Sequence, residues 1–277
     1  MRPIRIAVQL HPQQGAYGAL RRAVARVEET GADLLYTWDH FFPLYGDRDG
    51  AHFECWSLLA AWAEQTERVE LGPLVCCNSY RNPQLLADMA RTVDHISGGR
   101  VVLGIGSGWF RRDYDEYGYE FGTHGTRGRA LAGALPLIER RLEALNPPAM
   151  RRMPILIAGS GEQITLRLVA SHADSWHAGF PDSPGELEPK VAALERWCEE
   201  LSRDASEIER GLGVEPDDLE RFLTEDAEAY VALGFTQFTL GVNGPDWVVG
   251  AAIERWLSWR DERNAAISEA APSRPAY

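Results

Sequence analysis

Short apolar runs alternate with amphipathic stretches along most of the chain, and this alternation is the clearest feature of the sequence. Unbroken apolar runs are typical of strands that are buried on both faces of a parallel sheet. They predict eight strands, at residues 4–10, 32–40, 69–77, 100–108, 153–161, 174–180, 208–216 and 235–244.

A stretch with helical spacing of apolar residues follows each of these runs. In the first stretch, Leu20, Val24 and Val27 fall on one face, and Gly31 is a typical helix end. The predicted helices cover residues 18–31, 55–66, 82–97, 126–145, 162–173, 185–202, 224–234 and 245–262.

Eight successive strand–helix pairs without a long Pro-, Gly- or Ser-rich linker predict an α/β fold, a (β/α)8 TIM barrel. An open, doubly wound sheet is the alternative, and the even spacing of the pairs favours the closed barrel. We expect a single barrel domain over residues 1–264. The Ala-, Ser- and Pro-rich residues 265–277 are expected to form a flexible C-terminal tail.

Charge and cysteine content narrow the classes of partner. The net charge of −13 argues against nucleic acid, whose phosphates require a basic surface. The four cysteines form no C-x-x-C pair, which favours a reduced, cytoplasmic protein without a zinc framework. The first strand follows no leader pattern, and no apolar run approaches the length of a membrane span, so we expect no membrane partner.

Histidines stand at or near the ends of three predicted strands, where the catalytic residues of such barrels lie. These residues are His11, His40 and His177. They raise the hypothesis of a metal site. No pair of histidines separated by one residue follows the first strand, and no carboxylate–histidine cluster replaces it, so the sequence predicts no metal.

Two other strand ends are rich in glycine. "GIGSGW" (104–109) can form a flat wall against which a planar ring lies, because glycine leaves the backbone uncovered. "AGSGEQ" (158–163) runs into a predicted helix, whose free N–H groups and dipole favour an anion such as phosphate. Ordinary strand-to-helix turns also use glycine, so each motif alone is compatible with a purely structural role.

With these motifs identified, the chain resembles the luciferase-like monooxygenase superfamily, and within it the single-chain branch that uses the deazaflavin coenzyme F420. The resemblance extends over residues 4–180. It is carried by "TWDHFF", "YRNPQLLADMARTVDHISGGRVVLGIGSGW", "YG" at 117–118, and "PILIAGSGEQITLRLVASHADSWH".

The resemblance implies a barrel whose rim binds coenzyme F420, with FMN as the alternative cofactor. It also implies a non-prolyl cis peptide near Val75–Cys77, against which the cofactor ring lies. Cofactor contacts are predicted at Asp39, Val75, Cys76, Cys77, Asn78, Gly106, Gly108, Gly159, Ser160, Gly161 and Gln163.

The same resemblance implies that His40 of "WDH" is the catalytic acid or base. The residues expected in the substrate pocket are His11, Trp109, Trp176 and His177. The predicted function is hydride transfer between F420 and a small organic substrate. An FMN-dependent monooxygenase with a separate reductase, or a cofactor-binding relative without turnover, is the alternative. A homodimer is the expected assembly.

Two departures from the family pattern bear on the substrate. Sugar-phosphate dehydrogenases of the superfamily carry glutamate directly after the third glycine, where this chain has Trp109. This difference argues against a sugar phosphate. The connection 146–153 is also short, which predicts a more open pocket than in relatives with an insertion there.

Overall fold

The strands of the protein form one sheet in which every strand pair is parallel. The structure is a computed structural model that describes residues 2–270. The spatial order of the strands is β3-β2-β1-β9-β8-β7-β6-β5-β4. Their bounds are β1 Arg5–Leu10, β2 Leu34–Thr37, β3 Glu70–Pro73, β4 Cys76–Cys77, β5 Leu103–Gly106, β6 Ile155–Ala158, β7 Ser175–His177, β8 Glu209–Val214 and β9 Phe235–Val242.

The sheet closes into a barrel because its two outermost strands, β3 and β4, come from one predicted strand, 69–77. Cys76 and Cys77 of β4 pair with β5, and Leu71 of β3 forms a parallel bridge with Val101, just before β5. β3 and β4 therefore both contact β5 or the residues just before it. The predicted (β/α)8 barrel is confirmed, whereas the prediction of one continuous third strand is wrong.

Helices surround the barrel, and side chains at their ends fix where several of them begin. Asn82 accepts hydrogen bonds from two amides of the first turn of the third helix, and Glu54 caps the second in the same way. The bounds are α1 Tyr17–Thr30, α2 Cys55–Gln65, α3 Pro83–Ile96, α4 Arg111–Tyr117, α5 His124–Ala144, α6 Thr165–His172, α7 Pro184–Glu200, α8 Leu219–Glu225, α9 Ala227–Ala232 and α10 Ala251–Ala270.

Among the described residues the buried hydrophobic side chains form three clusters, and the sheet separates the two largest. The larger of these two fills the space between the outer face of the barrel and the helices, and it contains most of the buried Leu, Ile, Val and Trp side chains. The smaller of the two lies inside the barrel and consists of Ala7, Leu34, Tyr36, Leu74, Val102 and Leu156. This inner cluster fills the lower barrel and leaves the carboxyl ends of the strands as the place for a site.

Three helical segments differ from the prediction. α4 was not predicted, because its sequence is mostly charged. The predicted helix 224–234 covers the end of α8 and all of α9, which are separated at Asp226, and α8 begins before the predicted span. α10 begins at Ala251, later than predicted, and continues to Ala270.

The C-terminal helix also bears on the predicted tail. Residues 265–270, which were expected to belong to the tail, continue α10. Residues 271–277 lie outside the described residues. Within residues 2–270, no helix combines the length and the apolar character that a membrane crossing requires.

The short connection 146–153 lies at the amino end of the barrel, away from the rim. The amide of Met150 donates to Asp94, and His95 contacts the carbonyl of Pro148. Both partners belong to the last turns of α3, just before β5 begins. The expectation that this short connection opens the pocket is therefore wrong, because it faces the opposite end of the molecule.

Candidate functional site

A cavity of about 430 Å³ opens at the carboxyl ends of the strands. Its size lies within the range of small-molecule sites. Most of the residues predicted from strand ends line it. These are His11, Asp39, His40, Val75, Cys76, Cys77, Gly106, Gly108, Trp109, Gly159, Ser160, Gly161 and His177.

Three predicted site residues lie elsewhere. The Trp176 side chain is fully buried on the outer face of β7, where it packs against Phe235, because neighbouring strand residues face opposite sides. Gln163 is exposed in the turn before α6 and is not part of the cavity wall. Asn78 starts a short 3₁₀ turn after β4 and also lies outside the wall. The structure therefore does not bring these three residues together with the others at the cavity wall.

His40 is held by a buried carboxylate from α4. Its Nδ1 lies 2.7 Å from Oδ2 of Asp113, whose side chain is 0% exposed. The Tyr80 hydroxyl donates to the same oxygen over 2.8 Å, and the Phe41 amide donates to Oδ1 over 3.1 Å. These contacts fix the imidazole through Nδ1 and leave Nε2 as the nitrogen that can meet a ligand. A carboxylate on Nδ1 also stabilises an imidazolium after Nε2 takes up a proton.

Asp113 does not follow a strand end, which is where the candidate residues were expected, because it belongs to α4. Asp113 and Tyr114 are the buried residues of α4, in a stretch that is otherwise charged. Two adjacent buried positions give no helical repeat. The usable signals were the "YG" at 117–118, which belongs to the family resemblance, and Gly118, which ends α4 in the left-handed conformation.

Aromatic rings enclose the imidazole of His40. The rings of Trp109 and Phe110 meet it edge to face, with centroids 5.5 and 5.3 Å away. Trp38 lies 6.0 Å away on another side. Trp109 lines the cavity and is 60% exposed, so it stands at the mouth of the cavity.

Asp39 faces away from His40, in agreement with the alternation along a strand. Arg81 donates to both of its carboxylate oxygens, at 2.5 and 2.9 Å, and the Cys77 amide donates to Oδ2 at 3.2 Å. Asp39 is 2% exposed. This pair neutralises the charge of Asp39 and ties the end of β2 to β4.

The three glycines in and just after β5 are each required by, or suited to, a different contact. A Cβ at Gly104 would lie 2.0 Å from the Pro73 carbonyl, so this glycine permits the contact between β5 and β3. Gly108 has a φ of +82°, and a Cβ there would lie 2.1 Å from the Tyr114 hydroxyl. Gly106 lines the cavity, where a glycine leaves the backbone uncovered.

The loop after β6 is joined firmly to β7. The Gly159 amide donates to the His177 carbonyl over 3.0 Å, and the Ser160 hydroxyl donates to the Ala178 carbonyl over 2.7 Å. The hydroxyl is therefore engaged within the protein. Ser160 and Gly161 line the cavity just before α6, whose amino end carries a partial positive charge.

Two buried imidazoles on other strands line the same cavity. His11 Nδ1 lies 2.6 Å from the Asn243 carboxamide oxygen, which only accepts, so His11 carries its proton on Nδ1. His177 Nδ1 accepts from the Gly179 amide over 3.2 Å, so its proton lies on Nε2. Burial lowers the pKa of His11 to about 4 and the pKa of His177 to about 3, and both rings are neutral at pH 7.

The family profile of luciferase-like monooxygenases matches residues 1–217. The chain belongs to the luciferase-like monooxygenase family. This membership confirms the resemblance seen in the sequence. The luciferase-like fold also carries the predicted cis peptide, which lies between Leu74 and Val75, where β3 gives way to β4.

Among curated relatives, this luciferase-like chain is 35% identical over 116 residues to an F420-dependent glucose-6-phosphate dehydrogenase of Amycolatopsis mediterranei (strain U-32). The match covers 41% of this chain and 34% of that protein, so it spans about a third of the relative's length.

Solved structures extend the likeness of the fold over nearly the whole chain. An F420-dependent secondary alcohol dehydrogenase in complex with an F420–acetone adduct has a TM-score of 0.77 at 17% identity, covering 87% of this chain and 94% of that one. The monooxygenase RslO1 from Streptomyces bottropensis has a TM-score of 0.70 at 15% identity, covering 97% and 100%. At these identities the likeness establishes a shared luciferase-like barrel.

Proposed function

We propose that the protein is an oxidoreductase that transfers a hydride between coenzyme F420 and a small organic substrate, with both bound in the cavity at the rim. The observation that carries the proposal is His40, which lines the cavity and is fixed through Nδ1 by buried Asp113, so that Nε2 remains for a ligand. The family membership and the F420-dependent relatives support the choice of chemistry.

The cavity wall suits a flat ring. Val75 and Cys76 after the cis peptide form one side, and Gly106, Ala158 and Gly159 form another with little side-chain volume. A Cβ at Gly106 would lie 3.0 Å from Val75, so a larger residue would fill the space between these walls. When bound there, F420 supplies or accepts the hydride.

The amides of Ser160 and Gly161 are the proposed contacts for the cofactor phosphate. Both residues line the cavity beside the amino end of α6, where an anion is favoured. The Ser160 hydroxyl contributes little to this site, because it already donates to Ala178.

His40 is the proposed acid or base that transfers the proton of the reaction. Oxidation of an alcohol to a carbonyl removes one hydride from carbon and one proton from oxygen, and reduction adds both. Nε2 of His40 accepts or donates the proton on the substrate oxygen, while Asp113 holds the ring and stabilises its charged form. Trp109 stands beside His40 and limits the directions from which a substrate can approach.

Titration of the purified protein with F420 and with FMN, each followed by calorimetry, tests the cofactor. We expect F420 to bind more tightly than FMN. Tight binding of FMN alone would favour the monooxygenase alternative, for which the full-length likeness to RslO1 is the supporting observation. Binding of F420 without turnover of any alcohol or carbonyl compound would favour a relative that only binds the cofactor.

A further inference from the structure

Three polar atoms at the bottom of the cavity have no hydrogen-bond partner within residues 2–270. They are Nε2 of His11, Nε2 of His177 and Oε1 of Gln9. All three residues line the cavity and are at most 2% exposed. Unpartnered polar atoms are costly in a protein interior, so a site where they converge on one cavity is suited to a polar ligand.

The hydrogen bonds of each side chain show whether its unpartnered atom can donate or accept a further hydrogen bond. His177 offers a donor, because its Nδ1 already accepts from Gly179. His11 offers an acceptor, because its proton is on Nδ1 beside Asn243. Gln9 also offers an acceptor, because its Nε2 donates to the Leu74 carbonyl over 2.9 Å.

The cavity wall carries no unpaired charge within the described residues. Asp39 is the single carboxylate among the lining residues, and Arg81 neutralises it. The lining residues include no lysine or arginine. A carboxylate or phosphate oxygen, which only accepts, would face the lone pairs of His11 and Gln9 without a cation to compensate.

Aromatic rings stand above the two buried imidazoles. Tyr45 lies 6.0 Å from His11, and Phe180 lies 6.1 Å from His177, between ring centroids. Tyr45 is 46% exposed and Phe180 is 43% exposed, and with Trp109 they form the mouth. The entrance therefore suits a planar apolar body, and the bottom suits a polar end.

We propose that the substrate is an uncharged molecule with a planar apolar body and a polar end that both donates and accepts hydrogen bonds, as a primary carboxamide or a hydroxyketone does. This inference rests on the proposed function. It excludes sugar phosphates and carboxylic acids from the deep cavity on the chemistry of His11, His177 and Gln9.

The ring system of F420 also carries carbonyl and N–H groups, so the same atoms could recognise the cofactor instead. Calorimetric titration of the free and of the F420-loaded protein distinguishes the two sources. If the polar atoms recognise a substrate, a probe that binds the free protein also binds the loaded one. Loss of probe binding on loading would assign these atoms to the cofactor and would overturn the proposal.

Benzamide, acetophenone and benzoate are matched probes for this experiment. They share a phenyl ring, but benzamide donates and accepts, acetophenone only accepts, and benzoate is an anion. We expect benzamide to bind at millimolar concentrations, acetophenone about threefold to tenfold more weakly, and benzoate more weakly still. Equal or tighter binding of benzoate, or no binding of benzamide at these concentrations, would overturn the proposal.

His177→Phe removes the donor and keeps a ring, and His172→Phe on α6 is the matched control, since His172 lies outside the cavity wall. We expect His177→Phe to remove the preference for benzamide over acetophenone, and His172→Phe to retain it. A preference that survives in His177→Phe contradicts the assignment of the donor. Because the ranking of probes on the unmodified protein is independent of the variants, a misfolded variant leaves the main test intact.

Two outcomes would distinguish a failure of the proposed function from a failure of this inference. Absence of F420 binding, with the benzamide preference intact on the free protein, would refute the cofactor and leave the polarity of the cavity established. Tight F420 binding with a preference for benzoate would support the cofactor and refute the substrate class.

Discussion

At the scale of single residues, the proposed proton transfer depends on His40 and Asp113. The 2.7 Å contact between them is buried under Trp109 and Phe110, and Tyr80 donates to the same carboxylate. His40 could be predicted from sequence, because it follows a strand in a recognisable motif. Asp113 could not, because its helix shows no apolar repeat.

His40→Ala is expected to lower turnover by about 10²–10⁴-fold, the usual contribution of positioned proton transfer. Cofactor affinity should change little, because His40 contributes no proposed phosphate contact. Steady-state kinetics and a parallel F420 titration measure the two effects. Loss of F420 binding with normal turnover per bound cofactor would instead show that His40 only shapes the cofactor site.

Asp113→Asn tests whether the carboxylate acts through His40. In the unmodified background we expect turnover to fall at least about tenfold, because the charged imidazole loses its partner. In a His40→Ala background the same substitution should have almost no further effect on turnover, since neighbours in one network are not additive. Equal effects in both backgrounds would assign Asp113 a role in stability alone.

Gly108→Ala should destabilise the protein by about 1–3 kcal/mol, because the residue has a φ of +82° and its Cβ would overlap the Tyr114 hydroxyl. Gly133→Ala is the control, since a methyl group added at this exposed glycine of α5 would meet no neighbouring side chain within 4 Å. There alanine should be neutral or stabilising by up to about 1 kcal/mol. Urea denaturation of both variants measures the contrast.

At the scale of elements, periodicity identified the strands and most helices but not where two of them break. The third strand is apolar throughout 69–77, and its division into β3 and β4 leaves no mark in the hydrophobic pattern. α8 and α9 likewise share one apolar repeat. The three glycines in and just after β5 were predicted to admit a ring, yet Gly104 is needed because any larger residue would overlap the Pro73 carbonyl of β3. Such contacts depend on tertiary packing, which a single sequence does not reveal.

The amino end of α6 can be tested with two substitutions of nearly equal size. Gly161→Asp places a negative charge at the proposed phosphate contact and should weaken F420 binding by about tenfold or more. Gly161→Asn places a neutral side chain there and should change the affinity much less. Equal losses in both variants would mean that side-chain volume, and not phosphate charge, determines the effect. Calorimetry on both proteins measures the difference.

At the scale of the whole molecule, buried neutral histidines make stability depend on pH. Burial lowers the pKa of His11 to about 4 and that of His177 to about 3, below the 6.5 of an unfolded chain. The unfolded state therefore binds more protons as pH falls from about 6.5 towards 4. The contribution of these neutral histidines to the free energy of unfolding should be fully present above this pH window and should decrease as the pH falls through it.

His177→Asn removes one of these groups and keeps a neutral polar side chain. Between about pH 4.5 and 6, the slope of the unfolding free energy should be smaller in the variant by up to about 1.4 kcal/mol per pH unit. Urea denaturation at several pH values measures both slopes. Identical slopes would show that His177 takes up a proton as readily in the folded protein as in the unfolded chain.

The closure of the barrel has a consequence for local opening. β1 pairs with β9 over the six residues Arg5–Leu10, whereas the seam at β5 depends on the two residues Cys76–Cys77 and the bridge of Leu71. Amide protons along this seam should exchange with deuterium sooner than those of β1 and β9. The wall proposed to receive the cofactor would then be the one that opens most readily, and ligand binding should slow exchange there first.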